Sequence, residues 1–304
     1  MIYKSIEDLI GNTPILELEN IARELGLKSR IIAKLECFNP AGSSKDRAAK
    51  NMLDEAEKSG QLKAGGTVIE ATSGNTGIGL SMLGALRGYK VVIVMPDTAS
   101  RERILSMEAY GAKVVLTDGK EGMKGATKRA EEIAKATENS FIVSQFENIA
   151  NSDAHYKTTG PEIFESTEGS VDIFVSTIGT GGTITGTAKY LKEKKPDTLV
   201  YGVEPSASPL LTKGISGAHK IQGIGANFVP KILDRALIDE IITVSDEKAY
   251  EYARMLAKKE GILCGISSGA ALCGAITLAS ELENKTIVVL LPDTGLRYLS
   301  TDLF

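Results

Sequence analysis

The stretch TVIEATSGNTGIGLSMLGALRGYKVVIVM, residues 67–95, contains the pattern that decides the fold. Residues 67–71 and 91–95 are apolar runs rich in β-branched side chains, and residues 78–86 between them repeat apolar side chains at helical spacing. Gly88 falls where the C-cap of that helix belongs. Two buried strands joined by a helix form a right-handed parallel unit, which predicts an α/β fold.

The same alternation extends in both directions from this unit. Further strands are predicted at residues 15–18, 31–35, 113–116, 141–144, 171–178, 199–203, 241–244 and 286–291. Further helices are predicted at residues 45–60, 101–110, 122–136, 153–165, 183–195, 247–260 and 268–282. The stretch 205–230 is looser and rich in Gly, Ser and Pro. The expected fold class is therefore α/β, with two doubly wound domains and mainly parallel sheets.

The domain boundary is expected near residues 148–152, which gives an N-terminal domain at 1–150 and a C-terminal domain at 151–304. Residues 14–36 are allowed to cross to the other domain. A chain of 304 residues has the length for two such domains. Because ligands of parallel sheets bind beyond the carboxyl ends of strands, the active site is expected between the domains, in loops that follow strands.

Composition excludes several classes of protein. Apolar content of 42% and charge of 24% are ordinary for a globular chain, and the formal net charge of -4 does not favour nucleic-acid binding. No apolar run reaches the roughly 20 residues of a membrane span, and residues 1–15 lack the apolar core of a signal peptide. The sequence predicts a cytoplasmic protein without nucleic-acid or membrane partners.

The cysteines do not suggest a metal or a disulfide framework. There are three, Cys37, Cys264 and Cys273, and none forms a C-x-x-C pair. They are interpreted as buried or spare thiols, and no metal site is predicted.

One lysine stands where a loop rich in helix breakers becomes a helix. The loop NPAGSSKDR, residues 39–47, places Lys45 in the first turn of the helix that runs to Gly60. A cation there meets the positive end of the helix dipole, which favours a neutral, nucleophilic amine. Taken alone, this stretch favours an ordinary surface lysine, so the other loops have to decide the role of Lys45.

Two more loops follow strands and open helices. TSGNTG, residues 72–77, offers backbone amides and the hydroxyls of Thr72, Ser73 and Thr76, which suit a carboxylate. A tight turn with a capping side chain is the alternative for this loop. GTGGT, residues 179–183, offers successive amides at a helix start, which suit a phosphate monoester.

Rival interpretations of the glycine loop can be tested on the sequence. A dinucleotide fingerprint would need glycine at residue 184, which is Ile184. A Walker A loop would need a lysine after the glycines, and Thr183 stands there. A generic turn remains the alternative. A reactive lysine, a carboxylate loop and a phosphate loop together predict a pyridoxal 5'-phosphate enzyme that acts on an amino acid.

With these residues in view, the sequence resembles the cysteine synthase (O-acetylserine sulfhydrylase) family of fold-type II pyridoxal phosphate enzymes, whose fold is tryptophan synthase β-like. The resemblance covers nearly the whole chain. It rests on motifs that agree in order and spacing, namely IGNTP at 10–14, the lysine loop, TSGNTG at 72–77, QFEN at 145–148, GTGGT at 179–183, QGIG at 222–225, GISSG at 265–269 and RYLST at 297–301.

The resemblance implies a role for each site residue. Lys45 would form the Schiff base with the cofactor and shuttle the substrate's Cα proton. The other cofactor-binding residues would be Asn75 at the ring hydroxyl, Gly179, Thr180, Gly181, Gly182 and Thr183 at the phosphate, and Ser267 at the pyridine nitrogen. The substrate-binding residues would be Thr72, Ser73, Gly74, Asn75, Thr76, Gln145 and Gly223.

The expected reaction is β-replacement, which makes L-cysteine from O-acetyl-L-serine and sulfide through an α-aminoacrylate. A neutral serine such as Ser267 makes the pyridine ring a weaker electron sink than a carboxylate would, which favours β-elimination and β-replacement over transamination. The alternative reactions use L-cysteine as donor, release hydrogen sulfide and form lanthionine, serine or cystathionine.

Three residues depart from the pattern of the family. Ser44 stands where valine is common, Asn227 where glycine is common, and Leu296 where glutamate is common. Asn227 follows the loop that lines the substrate entrance in the family. One interpretation is a leaving group or nucleophile other than acetate and sulfide, and simple sequence drift is the alternative. His155 and His219 are interpreted as structural. The resemblance also implies a homodimer, and the C-terminal tail of serine acetyltransferase as a candidate partner.

Overall fold

A computed structural model of the chain describes residues 2–304. Within these residues the strands are β1 Ile15–Glu17, β2 Arg30–Leu35, β3 Thr67–Ala71, β4 Lys90–Pro96, β5 Lys113–Thr117, β6 Ser140–Ile142, β7 Ile173–Thr177, β8 Leu199–Pro205, β9 Glu240–Val244 and β10 Thr286–Leu291. The helices are α1 Glu19–Leu25, α2 Lys45–Lys58, α3 Asn75–Arg87, α4 Arg101–Ala109, α5 Gly122–Lys135, α6 Ala150–Lys157, α7 Thr159–Ser166, α8 Gly182–Lys194, α9 Leu210–Lys213, α10 Asp246–Met255 and α11 Ile266–Glu281.

The chain divides into two compact units. Unit 1 contains the residues up to Asp8 and Lys45–Asn151, and unit 2 contains Leu9–Ser44 and Ser152–Phe304. The grouping of Leu9–Ser44 with the C-terminal half extends the 14–36 segment that the sequence allowed to cross. Its cause is strand pairing, because β2 joins the sheet of unit 2 as a parallel neighbour of β10.

Unit 1 is built on a four-stranded sheet in the order β5-β4-β3-β6, and each of its pairings is parallel. Its strands are apolar because α5 packs on the sheet, where Ile69 and Val94 meet Ala126 and Ala130. Since β3 and β6 pair in parallel, the segments that follow them leave the sheet at the same edge.

Unit 2 is built on a six-stranded sheet in the order β1-β2-β10-β7-β8-β9, in which β1 is antiparallel and the other pairings are parallel. All six residues of β10 are buried, as expected for a central strand covered on both faces. The loops that follow β2, β10 and β7 therefore leave this sheet at one edge.

The α/β architecture with mainly parallel sheets is confirmed, while some predicted boundaries are wrong. The predicted helix 153–165 is two helices, α6 and α7, because Thr158 between them has non-helical dihedral angles of φ -130° and ψ -64°. The predicted strand 141–144 stops at Ile142, and Ser144 has a left-handed φ of 53°. The helix α1 and the short α9 were not predicted.

The structure also bears on membrane association. In the described part of the chain, residues 2–304, no helix combines the length and the apolar character that crossing a membrane requires.

Candidate active site

The TSGNTG loop links β3 to α3 in unit 1. The helix begins at Asn75 with Gly74 as its N-cap residue, and Gly74 donates its N–H to Thr72 Oγ1 at 3.2 Å. Gly77 closes the first turn by donating to the Gly74 carbonyl at 3.1 Å. A Cβ on Gly77 would lie 2.6 Å from Met107 Cε, so a larger residue here would require the end of the Met107 side chain to move. The loop is therefore a compact turn whose helix start is capped by glycine, not by serine or asparagine.

Gln145 meets this loop from the segment that follows β6, the strand that pairs with β3. Thr76 Oγ1 donates to Gln145 Oε1 at 2.6 Å, and both side chains are buried. Asn151 Nδ2 donates to the Gln145 carbonyl at 2.8 Å, which fixes the backbone from the other side. Arg103 of α4 holds the loop by donating to the Ser73 carbonyl at 3.3 Å. The structure thus brings together Thr76 and Gln145, which were predicted to bind one substrate carboxylate.

Glu70 lies beside these groups on β3. Burial raises the pKa of its carboxyl to about 7, although N–H groups of Gln145 and Ser144 donate to it and lower the pKa. A carboxyl with this pKa changes its charge close to neutral pH, within the unit that carries the carboxylate loop.

Lys45 is the first residue of α2 and is partly buried. The loop before it is fastened by the segment after β10, within unit 2. Ser44 donates its N–H to the Pro292 carbonyl at 2.9 Å, and Thr294 donates its N–H to the Gly42 carbonyl at 3.0 Å. The Arg297 guanidinium donates to the Ala41 carbonyl. The loop before Lys45 follows β2, and the segment that holds it follows β10, the strand paired with β2.

The glycine loop of unit 2 approaches its neighbours through backbone atoms. A Cβ on Gly179 would overlap the Gly223 carbonyl oxygen, so these two predicted site residues are in contact. Gly181 is the N-cap residue of α8 with a left-handed φ of 84°, and a Cβ there would lie 2.8 Å from Leu233 Cβ. Thr180 Oγ1 accepts the N–H of Gly182 at 3.3 Å. This is a helix start built from glycines and hydroxyls, which fits a phosphate group.

His155 contacts the last residue of this loop, Thr183, and the sequence did not predict this contact. His155 is fully buried, and its Nε2 lies 3.1 Å from Thr183 Oγ1 while its Nδ1 lies 2.8 Å from Thr159 Oγ1. The imidazole therefore bridges the first turns of α7 and α8. Since 28 residues separate His155 from Thr183, no local pattern in the sequence signals the bond.

Ser267 occupies the second position of α11 and is 4% exposed. The turn before it packs tightly, because a Cβ on Gly265 would overlap Asp293 Oδ1 and lie 2.6 Å from the Tyr298 ring. Tyr298 donates its hydroxyl to Asp293 Oδ2 at 2.8 Å. Asp293 and Tyr298 thus fix the start of the helix that carries Ser267.

The predicted site residues fall into two groups. Unit 1 holds Lys45, Thr72, Ser73, Gly74, Asn75, Thr76 and Gln145. Unit 2 holds Gly179, Thr180, Gly181, Gly182, Thr183, Gly223 and Ser267. Taken by itself, the donor set of unit 2 suits a phosphate, and that of unit 1 suits a carboxylate and an imine.

The cysteine thiols are not suited to act as nucleophiles. The three cysteines are free thiols, and burial raises the pKa of Cys37 and of Cys273 to about 11 and that of Cys264 further. These thiols stay protonated at neutral pH, which makes them poor nucleophiles. Within residues 2–304, no cluster of three or more His, Cys, Asp or Glu side chains could hold a metal ion.

Known proteins are similar to this chain in sequence and fold over most of their length. The sequence model of a family described as "Pyridoxal-phosphate dependent enzyme" matches residues 6–293. The chain is 52% identical over 307 residues to a protein of Bacillus subtilis named "Probable cysteine synthase", covering 100% of this chain and 98% of that protein.

Two solved structures extend the comparison. A cysteine synthase from Entamoeba histolytica superposes with a TM-score of 0.96 at 46% identity, covering 100% of this chain and 91% of that chain. A hydrogen sulfide-producing enzyme from Fusobacterium nucleatum superposes with a TM-score of 0.95 at 47% identity, covering 98% of this chain and 100% of that chain.

Proposed function

The chain belongs to the family of pyridoxal-phosphate dependent enzymes, and from that premise we propose that it makes L-cysteine from O-acetyl-L-serine and sulfide by β-replacement. The observation that carries the proposal is the buried bond between Thr76 and Gln145, which joins two groups suited to an amino-acid carboxylate. Relatives at about half identity over the full chain, named cysteine synthases, support the choice of reaction.

The residues proposed to hold the cofactor are those that the resemblance implies. Backbone amides from Gly179 to Thr183 and the Thr183 hydroxyl would bind the phosphate, and the helix start at Gly182 favours a dianion. Asn75 would take the ring hydroxyl and Ser267 the pyridine nitrogen. Glycine at 179 and 181 lets this loop take its conformation, because a Cβ there would meet the Gly223 carbonyl oxygen or Leu233.

Pyridoxal phosphate supplies an electron sink that labilises the bonds at the Cα of an amino acid. The residue at its ring nitrogen sets how strong that sink is. A neutral hydroxyl from Ser267 cannot stabilise a proton there as a carboxylate does, so negative charge at Cα is short-lived. Prompt loss of a β-substituent suits this site, and slow transamination does not.

Lys45 would move the proton in this reaction. Its Nζ would take the Cα proton while acetate leaves, and would return it after sulfide has added to the β-carbon. The first turn of α2 favours the neutral amine that can accept a proton. The fastened loop before Lys45 restricts where the Nζ can reach, which supports one base serving both steps.

The substrate carboxylate would bind at the start of α3. The hydroxyls of Thr72 and Ser73 and the backbone of Gly74, Asn75 and Thr76 would supply donors, and so would the NH2 group of Gln145. Gly223 is the remaining residue that the resemblance implies. Because Thr76 already donates to Gln145, the position of one side chain fixes the position of the other. An amino acid held by its carboxylate presents its Cα in a constant orientation.

A second reaction, with L-cysteine as donor and hydrogen sulfide as product, has its own support. The Fusobacterium nucleatum neighbour is named a hydrogen sulfide-producing enzyme. Asn227 has a left-handed φ of 60°, accepts the hydroxyl of Ser208 at 3.0 Å and lines one small cavity of unit 2 together with Gly179. An amide in place of a glycine adds polar groups to that cavity, where a different β-substituent could be recognised.

A substrate comparison distinguishes the two reactions. The chain loaded with pyridoxal phosphate is incubated with O-acetyl-L-serine plus sulfide, and separately with L-cysteine alone. The proposal predicts that cysteine forms faster in the first mixture than hydrogen sulfide is released in the second. Faster release of hydrogen sulfide would reverse the ranking, and no turnover in either mixture would overturn both.

We also propose the assembly and setting that the resemblance implies, a cytoplasmic homodimer that can bind the C-terminal tail of serine acetyltransferase. Sedimentation of the purified chain would give the mass of two chains. A pull-down would capture the acetyltransferase only when O-acetyl-L-serine is absent. Capture in neither condition would reject the partner without affecting the proposed reaction.

A further inference from the structure

Glu70 is a buried carboxyl to which the proposed reaction assigns no step. It is 3% exposed and is the fourth residue of β3. Only Ala71 separates it from the TSGNTG loop, residues 72–77. Each of its oxygens takes one of two consecutive backbone amides. Ser144 donates its N–H to Oε2 at 2.9 Å, and Gln145 donates its N–H to Oε1 at 3.3 Å.

The turn that Glu70 holds has an unfavourable backbone conformation. Ser144 has a left-handed φ of 53°, which a residue with a side chain adopts at a cost in free energy. The two hydrogen bonds from this turn to the Glu70 carboxyl offset that cost and fix the direction in which Gln145 leaves the turn. The carboxamide of Gln145 then reaches the Thr76 hydroxyl at 2.6 Å.

The choice of a carboxyl at this position is informative. A buried carboxyl is costly to ionise, and a glutamine of the same size would avoid that cost. Glutamine, however, offers one acceptor oxygen and a donating NH2 group, whereas two adjacent N–H groups need two acceptors. A glutamate is thus the side chain that can hold both amides of this turn.

We propose that Glu70 is a positioning residue for the amino-acid substrate, acting through the Ser144–Gln145 turn on Gln145 and Thr76. The inference rests on the proposed function, in which Gln145 and Thr76 bind the substrate carboxylate. Removing the Glu70 carboxyl would leave Lys45 in place and weaken the binding of the amino-acid substrate.

The test is Glu70→Gln in the enzyme loaded with pyridoxal phosphate. Removing one acceptor from a buried pair is expected to raise the KM for O-acetyl-L-serine about tenfold, with little change in kcat. A titration with L-serine, followed by the visible spectrum of the bound cofactor, should show a similar rise in the apparent Kd. Because this titration needs no turnover, the apparent Kd reports on the amino-acid site that contains Gln145 even if the proposed reaction is wrong.

A double-mutant cycle separates positioning from general stability. If Glu70 acts through Gln145, Glu70→Gln should raise the apparent Kd of L-serine by no more than about twofold in a Gln145→Ala background. An equal effect in both backgrounds, or a lowered Tm with an unchanged apparent Kd, would overturn the proposal. Glu70→Asp, which keeps both oxygens on a shorter side chain, should give an intermediate apparent Kd and serves as the variant if Glu70→Gln does not fold.

Asp172→Asn is the matched control. Asp172 also accepts a backbone N–H, from Thr286 at 2.9 Å, but at the amino end of β10 and not in the unit of the carboxylate loop. The loss of this carboxyl should leave the apparent Kd of L-serine unchanged. Asp172 is partly exposed and also pairs with Lys195, so it controls for the loss of a carboxyl that accepts a backbone N–H. A rise equal to that of Glu70→Gln would mean that losing any such carboxyl has the effect, and would contradict the positioning role.

Discussion

Glu70 links the stability of the chain to pH. Burial raises the pKa of its carboxyl from 4.5 to about 7, so the folded state binds a proton more tightly than the unfolded state does. The stabilisation is therefore complete below pH 4.5 and is lost as the pH rises through about 7. Glu70→Gln removes the titrating group and with it this dependence.

The expected result is a change in the Tm difference between wild type and Glu70→Gln. As the pH rises from 5 to 8, across the range set by a pKa of about 7, wild type should lose stability relative to the variant. Thermal unfolding followed by circular dichroism at several pH values measures this. A Tm difference that does not vary with pH would contradict a raised pKa for Glu70.

His155 is the second residue whose effect can be isolated. Replacing it by leucine leaves the buried hydroxyls of Thr183 and Thr159 without the imidazole, so the Kd for pyridoxal phosphate should rise about tenfold. Equilibrium dialysis gives the Kd. Thr183→Val should weaken binding to a similar extent, and the double variant should be no worse than Thr183→Val alone.

The control for His155 is its neighbour in sequence. Tyr156 lies on the same helix, and its exposed hydroxyl donates to Glu193 at 2.7 Å. Tyr156→Phe should bind the cofactor as wild type does. Additive losses in the His155→Leu and Thr183→Val double variant would mean that His155 does not act through Thr183.

Among the elements, α8 depends on the conformation of the residue before it. Gly181 combines a left-handed φ of 84° with a position where a Cβ would lie 2.8 Å from Leu233 Cβ. Gly261, which ends the π-helical turn Leu256–Glu260 after α10, has a similar φ of 70° and nothing within 4 Å of a Cβ. The two glycines therefore separate backbone strain from crowding.

Gly261→Ala should cost about 1 kcal/mol, the usual penalty for alanine in a left-handed conformation, and Gly181→Ala should cost more because of the added clash. Denaturant unfolding of the cofactor-free chain gives both free energies. Equal losses in the two variants would mean that Leu233 gives way, and that close packing does not require glycine at Gly181.

The elements also show how far sequence reasoning reaches. The alternation of apolar runs with helical periods predicts the strands of both sheets. The signal is clearest for a central strand such as β10, which is covered on both faces and is apolar almost throughout. The apolar periodicity does not predict the break at Thr158, because the segments on both sides of it are helical. It also misses α1, which has one buried residue, Ile21, and so shows no apolar stripe.

In the candidate site, too, the sequence predicts some contacts and misses others. Glycines and hydroxyls that act within their own loop, such as Thr72 with Gly74, can be read from the sequence because the contact is local. The bonds from Glu70 to Gln145 and from His155 to Thr183 join residues 75 and 28 positions apart. Such contacts depend on which strands and helices become neighbours, and no local pattern encodes that.

Across the whole molecule, the pairing of β2 with β10 makes Leu9–Ser44 part of unit 2. Amide hydrogen exchange tests this assignment, since residues of one cooperative unit exchange together. The amides of β2 should be protected to the same degree as those of β10. Exchange of β2 in step with β3 of unit 1 would contradict the assignment.

The most direct measurement is the visible absorption spectrum and cysteine yield of the chain reconstituted with pyridoxal phosphate, for wild type and Lys45→Ala. Wild type should be yellow and form cysteine from O-acetyl-L-serine and sulfide. Lys45→Ala should lack the visible band and the activity, because it lacks the amine that holds the cofactor and moves the proton. A colourless wild type, or a Lys45→Ala variant that keeps both band and activity, would contradict the proposed function.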